Sequence, residues 1–235
     1  LGFGEAYMRG WWECEHLDQL IERVLLHRID AEFSRRPTVI LDTLRARLFN
    51  LQAVKRAFRV GEQHYDIGNS LYQAMLDAEM NYTCGYWREA HDLGQAQRAK
   101  LDLVCRKLGL GAGDRLLDIG CGWGALARHA ARHYGCEVVG ITISKKQAEL
   151  AREMCSGLPI EIRLQDYREV DEPFDHIASL GMFEHVGVKN YHTYMRTVAR
   201  NLSEGGLFLL HTIGSLQSVV TADPWITRYI FPNSM

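Results

Sequence analysis

The chain has 235 residues, enough to bury a substantial core as one large domain or as one domain with an appendage. Hydrophobic residues make up 47% of it, charged residues 24%, and the net charge is −2, which is ordinary for a soluble globular protein and excludes a fibrous or disordered chain. No segment approaches the ~20 apolar residues of a membrane-spanning helix, and the six cysteines show neither C-x-x-C pairs nor zinc spacing. We therefore expect a cytoplasmic protein with free thiols and no metal site.

Residues 1–60 are predicted to form a helical domain. Apolar residues recur from Leu17 to Ile29 at the three- and four-residue spacing of one helix face. A second helical pattern follows, and between Phe33 and Val60 seven basic residues stand against one acid. Basic amphipathic helices bind anionic lipid headgroups, but a solvated basic face packed on a neighbouring domain explains the pattern equally well. Both interpretations stay open.

The chain changes character near Gly61, where a second predicted domain, residues 61–235, begins. A short helix is predicted to about Leu76, and a long helix follows from Leu93 to Leu108. Between them, the aromatic segment Met80–Trp87 is too irregular for a core strand. Such loops in front of a ligand cradle tend to be lids or pocket walls.

The most informative stretch is a short apolar run that ends at Asp118 and continues into Gly120, Gly122 and Gly124. The run is typical of a buried parallel strand, and the glycines permit a sharp turn and a close ligand approach to free N–H groups. The spacing also fits a dinucleotide site, which needs an acid at the tip of the second strand; that strand ends at Thr142 without one. The loop instead resembles the S-adenosylmethionine loop of class I methyltransferases, which makes Asp118, Gly120, Gly122 and Gly124 candidate cofactor-binding residues. A packing turn without a ligand is the remaining alternative.

Beyond this loop, strands and helices alternate, which predicts an α/β fold with a doubly wound parallel sheet. The strands are predicted near residues 115–119, 137–142, 160–165, 174–180 and 206–212. The helices are predicted near residues 123–134, 144–156 and 190–202. Five strands are predicted, whereas a complete class I methyltransferase sheet has seven, so we expect a fragment that lacks its C-terminal part. The first predicted domain is likewise expected to be incomplete at its start.

Ligands of such sheets sit beyond the carboxyl ends of the strands. The second and third strands are followed by polar candidates for a nucleoside site, namely Thr142, Ile143, Gln147, Asp166 and Tyr167. Asp166 and Tyr167 are placed to meet an adenine amine and ring. Ser144-x-x-Gln147 is also a capping box for the next helix, so capping and ligand contact both stay open.

Glu184 and His211 follow the fourth and fifth strands and form the candidate acid–base pair. We predict no metal here, because Glu184 and its neighbour His185 point apart and no third ligand has zinc spacing. A histidine satisfied inside the core is the alternative for His211. Its place at a strand tip beside Glu184 favours the functional interpretation.

Six motifs in order resemble the cyclopropane-fatty-acid synthase family, which includes the mycolic acid cyclopropane synthases. They are His64-Tyr-Asp, Tyr82–Trp87, Leu117–Gly124, Gly140–Ser144, Gly181–Gly187 and Leu209–Gly214. The likeness runs from Leu1 to Met235 and is strongest from Gly61 onward. The bacterial phospholipid branch fits best, since its members carry an N-terminal helical domain like residues 1–60.

The resemblance implies a Rossmann-like S-adenosylmethionine-binding domain and a bound bicarbonate. The implied cofactor contacts are Tyr65, Tyr82, Thr83, Gly120, Gly122, Thr142, Ile143, Gln147, Asp166 and Tyr167. The implied bicarbonate ligands are Cys84, Glu184, His211 and Ile213. Thr83 and Gly85 stand where relatives often have Ser and Ala, and a further tyrosine ligand would lie past Met235.

The implied reaction is methylene transfer from S-adenosylmethionine to the cis double bond of an unsaturated phospholipid acyl chain, which gives a cyclopropane chain. Positive charge in the acyl chain calls for a dry aromatic pocket. The aromatic candidates for it are Tyr65, Tyr82, Tyr86, Trp87, Trp123 and Phe183. The resemblance assigns the departing proton to bicarbonate, which Glu184 and His211 would orient.

The expected setting is the inner face of the membrane, contacted peripherally from the cytoplasm, without a nucleic-acid partner; a homodimer is left open. One alternative is a lipid C-methyltransferase of the same family that leaves a methyl branch. Another is a non-catalytic lipid-surface protein that uses the basic helices alone.

Overall fold

The computed structural model describes residues 2–27, 69–214 and 224–229. The chain divides into two compact units, one of residues 1–51 with 216–235 and one of residues 52–215. The basic helix predicted before Val60 and the candidate contact Tyr65 lie outside the described residues. No helix in the described ranges is long and apolar enough to cross a membrane.

The described part of the smaller unit consists of three short helices. These are α1 (Gly2–Met8), α2 (Leu17–Leu26) and the helix Pro224–Tyr229. Oε1 of Glu5 accepts hydrogen bonds from Arg228 (Nη1, 3.0 Å) and from the Tyr229 hydroxyl (2.8 Å). Helix α2 confirms the helix predicted from Leu17 onward, although none of its residues is buried.

The larger unit contains a five-stranded parallel sheet, which confirms the predicted α/β fold. Its strands are β1 (Arg115–Ile119), β2 (Glu137–Thr142), β3 (Ile160–Leu164), β4 (Phe174–Leu180) and β5 (Leu202–His211). Its helices are α3 (Asn69–Met75), α4 (Leu93–Leu108), α5 (Ala125–Tyr134), α6 (Lys145–Met154) and α7 (Tyr191–Asn201). The strand order is β3-β2-β1-β4-β5.

Helices cover both faces of the sheet because successive strand side chains point to opposite sides. Leu116 belongs to the core cluster that contains apolar residues of α4 and α5. Its neighbour Leu117 belongs to a second cluster, with Tyr194 and Val198 of α7. A strand buried on both faces reads as a continuous apolar run, which is why β1 was recognisable from the sequence.

The sheet places β1 at a topological switch point. β1 pairs with β2 on one side and with β4 on the other, so the crossovers diverge from it. Ligands of open α/β sheets bind outside the carboxyl ends of the strands at such a point. The polar strand-tip residues therefore meet at this edge.

Candidate active site

The turn after β1 needs glycine for two separate reasons. Gly120 has a φ of +81°, and a Cβ there would lie 2.8 Å from Met182. Gly122 has a φ of +55° with open space beside it. The N–H groups of Gly120 and Cys121 both donate to the Ile141 carbonyl at 3.0 Å, which fixes the turn against β2. The turn therefore approaches Met182 on one side and leaves room on the other.

A pocket opens at this turn, and most of the predicted cofactor contacts line it. They are Tyr82, Thr83, Asp118, Gly120, Gly122, Thr142, Ile143, Gln147, Asp166 and Tyr167. Gly124 does not line it: its φ is +78°, and a Cβ would lie 2.9 Å from Sγ of Cys155, so this glycine serves the start of α5 and its packing on Cys155. The positive φ also explains why α5 begins at Ala125, two residues later than predicted.

At the tip of β2 the capping interpretation is confirmed. The Ser144 hydroxyl accepts a hydrogen bond from the Gln147 N–H (3.2 Å), as an N-cap does. Oε1 of the Gln147 side chain accepts a hydrogen bond from the Thr142 hydroxyl at 2.8 Å. Thr142 and Gln147 are both buried and face the pocket, so they form one preassembled polar edge.

At the tip of β3, contacts between protein residues hold the pocket wall in place. Oδ1 of Asp166 accepts the Arg168 N–H at 3.0 Å, and the Arg168 guanidinium lies 4.8 Å from the centre of the Tyr167 ring. The Tyr167 ring makes an edge contact with Tyr194 at 5.0 Å and belongs to the core under α7. Burial raises the pKa of the Tyr167 phenol. The tyrosine therefore stays neutral and forms part of a rigid wall.

The four candidate bicarbonate ligands form two close pairs. Sγ of Cys84 lies 3.4 Å from Nε2 of His211, and Oε1 of Glu184 accepts the Ile213 N–H at 2.6 Å. The β4–β5 pairing sets this arrangement, because Leu180 is the register partner of His211. Cys84 and Glu184 are chain neighbours of the pocket-lining residues Thr83 and His185.

Two buried polar atoms of this cluster lack a hydrogen-bond partner among the described residues, Oε2 of Glu184 and Nδ1 of His211. A buried polar atom without a partner costs free energy, on the order of 1–3 kcal/mol. Such atoms are therefore satisfied when a ligand supplies the missing donor or acceptor. The cluster fits a small polar group that can both donate and accept.

Only some of the aromatic residues predicted to surround the acyl chain line the pocket in the described part of the structure. Tyr82 and Trp123 line it, whereas Tyr86, Trp87 and Phe183 do not. Trp123 is buried and packs against Tyr72, with ring centres 4.8 Å apart. Phe183 stacks on Tyr191 at 4.2 Å, beside the core under α7. The exposed members are Tyr82, Tyr86 and Trp87. Trp123 is buried in the core and also lines the pocket, and Tyr82 lines the same pocket while staying partly exposed.

Lys100 of α4 is buried and lines the pocket, but it was not among the site residues predicted from the sequence. A signal was present: Lys100 lies four residues after Ala96 and four before Val104, on the apolar stripe of the helix. A lysine at a core-facing helix position must find polar partners inside the protein. Asn81 and Met182 also line the pocket and were not predicted.

The six cysteines are free thiols. Burial raises the pKa of Cys121 well above its ordinary value and that of Cys105 to about 12, so these thiols stay protonated and pack as small apolar groups. No cluster of three or more potential metal ligands occurs within residues 2–27, 69–214 and 224–229.

Comparison with known proteins gives concordant matches. A family model described as mycolic acid cyclopropane synthetase matches residues 52–235. The cyclopropane-fatty-acyl-phospholipid synthase of Escherichia coli K12 is 54% identical over 236 residues, 99% of this chain. The chain spans 61% of that relative's length.

Solved structures agree with the fold. The cyclopropane synthase MmaA2 from Mycobacterium tuberculosis aligns with a TM-score of 0.70 at 35% identity, over 75% of this chain and 68% of that one. The mycolic acid cyclopropane synthase CmaA1, solved with SAH and CTAB, aligns with a TM-score of 0.69 at 34% identity, over the same shares.

Proposed function

The chain belongs to the mycolic acid cyclopropane synthetase family, and from this premise we propose that its complete protein is an S-adenosylmethionine-dependent cyclopropane synthase. The proposed substrate is the cis double bond of an unsaturated phospholipid acyl chain, which becomes a cyclopropane. The 54% identity to the E. coli phospholipid enzyme supports this choice of substrate.

The observation that carries the proposal is the arrangement at one sheet edge. The glycine turn after β1 opens a pocket. Cys84 and Glu184 are chain neighbours of residues that line it, and they contact His211 and Ile213, respectively. The related CmaA1 was solved with SAH, and a pocket at a switch point with a preassembled Thr142–Gln147 edge suits a nucleoside. We assign Tyr82, Thr83, Asp118, Gly120 and Gly122 to the same cofactor, with Thr142, Ile143, Gln147, Asp166 and Tyr167.

The chain's own residues would bind and orient the reactants. S-adenosylmethionine supplies an electrophilic methyl group, and bicarbonate supplies a small base. The carboxylate of Asp118 offers a negative charge to the positive groups of the cofactor. The backbone at Gly120 and Gly122 lets the ligand approach the start of α5. Asp118 and the glycine turn would position the cofactor and would form no covalent bond with it. Positioning of reactants can account for several kcal/mol of an activation barrier.

The bicarbonate assignment rests on the partnerless atoms of the cluster. Oε2 of Glu184 can accept the hydroxyl proton of bicarbonate, and His211 and the Cys84 thiol can donate to its oxygens. Glu184 is held in place by the Ile213 N–H. Glu184 and His211 therefore orient the base, a role in which loss of charge harms turnover more than cofactor binding.

A role for the membrane surface belongs to the same proposal. A phospholipid acyl chain must be reached at the bilayer, so the complete protein would contact the inner face of the membrane peripherally from the cytoplasm. Residues 1–60 are the proposed lipid-surface domain and residues 61–235 the catalytic domain. The seven basic residues between Phe33 and Val60 support headgroup contact.

Lipid analysis tests the function. The complete gene is expressed in cells with oleoyl and vaccenoyl phospholipids, and the extracted acyl chains are examined by mass spectrometry before and after hydrogenation. We expect chains heavier by one CH₂ group that take up no hydrogen. Products that are branched, or that take up hydrogen, would favour the C-methyltransferase alternative, and unmodified lipids would contradict both.

A further inference from the structure

Lys100 is a charged side chain inside the larger unit. It lies on the buried face of α4, and only 6% of the residue is exposed. Burying an ammonium group without partners is costly, so its contacts reveal its role. The residue also lines the pocket at the end of β1.

Lys100 contacts two residues of the Met80–Trp87 loop that line the pocket, Asn81 and Thr83. Nζ of Lys100 donates to Oδ1 of Asn81 and to the Thr83 hydroxyl, both at 2.9 Å. Asp77 holds Asn81 in turn, because its Oδ1 accepts the Asn81 N–H at 2.7 Å. Gln97, one helical turn before Lys100, donates to the Thr83 carbonyl at 2.8 Å. Two residues of α4 therefore fix both ends of the Asn81–Thr83 segment.

The backbone before this segment is strained. Met80 has a φ of +61°, a left-handed conformation that side chains with a Cβ rarely adopt. Such strain persists only where surrounding contacts determine the conformation. Here Met80 is buried against Tyr72 and Trp123, and Lys100 holds the residues that follow. The contacts aim Tyr82 and Thr83 at the pocket.

Asp118 lines the same pocket from the end of β1, and 2% of it is exposed. Burial raises the pKa of the Asp118 carboxyl to about 7, and the nearby Lys100 charge acts in the opposite direction. Burial lowers the pKa of Lys100 to about 8, against the attraction of Asp77, Asp118 and Cys84. Each charge therefore favours the ionised form of the other near neutral pH.

We propose that Lys100 is a positioning residue of the cofactor pocket: it fixes the Asn81–Thr83 wall, and from the same pocket lining its charge favours the anionic form of Asp118, which faces the positive groups of the cofactor. This inference rests on the proposed function and adds to it a residue that the motifs do not contain. Lys100 acts through Thr83, Asn81 and Asp118.

Other ionisable groups near Lys100 and Asp118 do not supply the charge of either residue. His129 of α5 lies near Lys100, and burial lowers its pKa to about 4, so it is neutral at pH 7. Four further groups lie near Asp118, namely Cys105 of α4, Cys121 after β1, Cys155 after α6 and Tyr194 of α7. Burial raises the pKa of each, so all four remain neutral. Asp77 and Cys84 face Lys100 and are common to all variants below.

The test compares two matched pairs of variants in the complete protein. Lys100→Met removes the charge and both hydrogen bonds, whereas Lys100→Arg keeps the charge. Thr83→Val removes one acceptor at nearly constant shape, whereas Thr83→Ser keeps it. Calorimetric titration with S-adenosylmethionine and with S-adenosylhomocysteine from pH 6 to 9 gives the affinity of each variant.

We expect Lys100→Met to bind S-adenosylmethionine about tenfold or more weakly at pH 7, and its affinity to rise at a higher pH than in the wild type, since loss of the ammonium raises the pKa of Asp118. Lys100→Arg should restore the wild-type pH profile. Thr83→Val should bind about tenfold more weakly with the profile unchanged, because one charge-assisted hydrogen bond is lost, and Thr83→Ser, which keeps the hydroxyl, should bind more tightly than Thr83→Val.

An unchanged affinity of Lys100→Met, or an equal loss at every pH, would overturn the inference while leaving the proposed function intact. If Lys100→Met does not fold, equal affinities of Thr83→Val and Thr83→Ser would overturn it. Failure of the wild-type protein to bind either ligand would overturn the proposed function together with the inference.

Discussion

At the scale of single residues, the glycine turn shows how backbone geometry creates a ligand site. Gly120 combines a positive φ with a Cβ position only 2.8 Å from Met182, so no side chain fits there without movement. Gly122 shares the positive φ but faces open space. The sequence reveals such glycines by their spacing, but it does not show which neighbour each one approaches.

Gly120→Ala tests this geometry. A left-handed alanine costs about 1–2 kcal/mol, and the collision with Met182 displaces the pocket wall. We expect a loss of stability in urea unfolding and a strong loss of S-adenosylhomocysteine affinity in calorimetry. Gly113→Ala is the matched control, because Gly113 has a φ of +88° with nothing within 4 Å of the Cβ position. It should lose stability but keep its affinity; equal affinities in the two variants would contradict this account.

Glu184→Gln separates turnover from binding. The amide oxygen of glutamine can still accept the Ile213 N–H, but the negative charge and the second acceptor are lost. We expect kcat to fall by roughly 10²-fold or more, while the Kd for S-adenosylhomocysteine changes little. Steady-state kinetics and calorimetry on the complete protein measure the two quantities. If kcat and affinity fell together, Glu184 would be a cofactor ligand and the orienting role would be wrong.

At the scale of elements, the strands were the easiest feature to predict. β1, β2 and β4 have the predicted bounds because each carries a run of consecutive buried residues, most of them apolar. β5 begins at Leu202, four residues earlier than predicted, since its first residues include Ser203 and Gly205 and are separated from the rest by an irregular register. Polar and glycine residues around a bulge hide a strand from periodicity.

The Lys100 contacts could not be predicted in the same way. Its neighbours Asn81 and Thr83 come from a loop 17–19 residues earlier in the chain. Periodicity shows that Lys100 lies on the apolar stripe of α4, but the fold of the loop decides which acceptors reach it. The paired arrangement of Cys84 with His211 likewise depends on a contact across 127 residues, and only the family resemblance brought the two together.

Glu172 links two strands and gives a pH-dependent test of the sheet. It forms ion pairs with Arg163 of β3 and Arg115 of β1, and the Arg163 and Arg115 hydrogen bonds lower its pKa. A lowered carboxyl pKa contributes stability above the unfolded-state value, and that stability is lost as pH falls through the folded-state value. Glu172→Gln should therefore cost about 1 kcal/mol at pH 7 and progressively less below pH ~4.5.

Urea unfolding of this chain across pH 3–7 measures that difference. Glu149→Gln is the control, because Glu149 is exposed on α6. It should leave the free energy of unfolding nearly unchanged at every pH. A Glu172→Gln effect that stayed constant from pH 7 to pH 3 would show that the ion pairs do not contribute as argued.

At the scale of the whole molecule, the proposed lipid reaction takes place at one edge of the parallel sheet. The described residues supply the pocket and the Cys84–His211 and Glu184–Ile213 pairs, while the chain spans 61% of its E. coli relative. The functional proposal therefore concerns the complete protein. Its central claim is that the cofactor lies on the glycine turn with its sulfur facing the acid–base cluster.

A crystal structure of the complete protein with S-adenosylhomocysteine tests this claim most directly. We predict the adenosine between the Thr142–Gln147 edge and Asp166, and the sulfur atom directed toward Glu184 and His211. The claim would be contradicted if the ligand occupied another site, or if it bound at the turn with its sulfur directed away from that cluster.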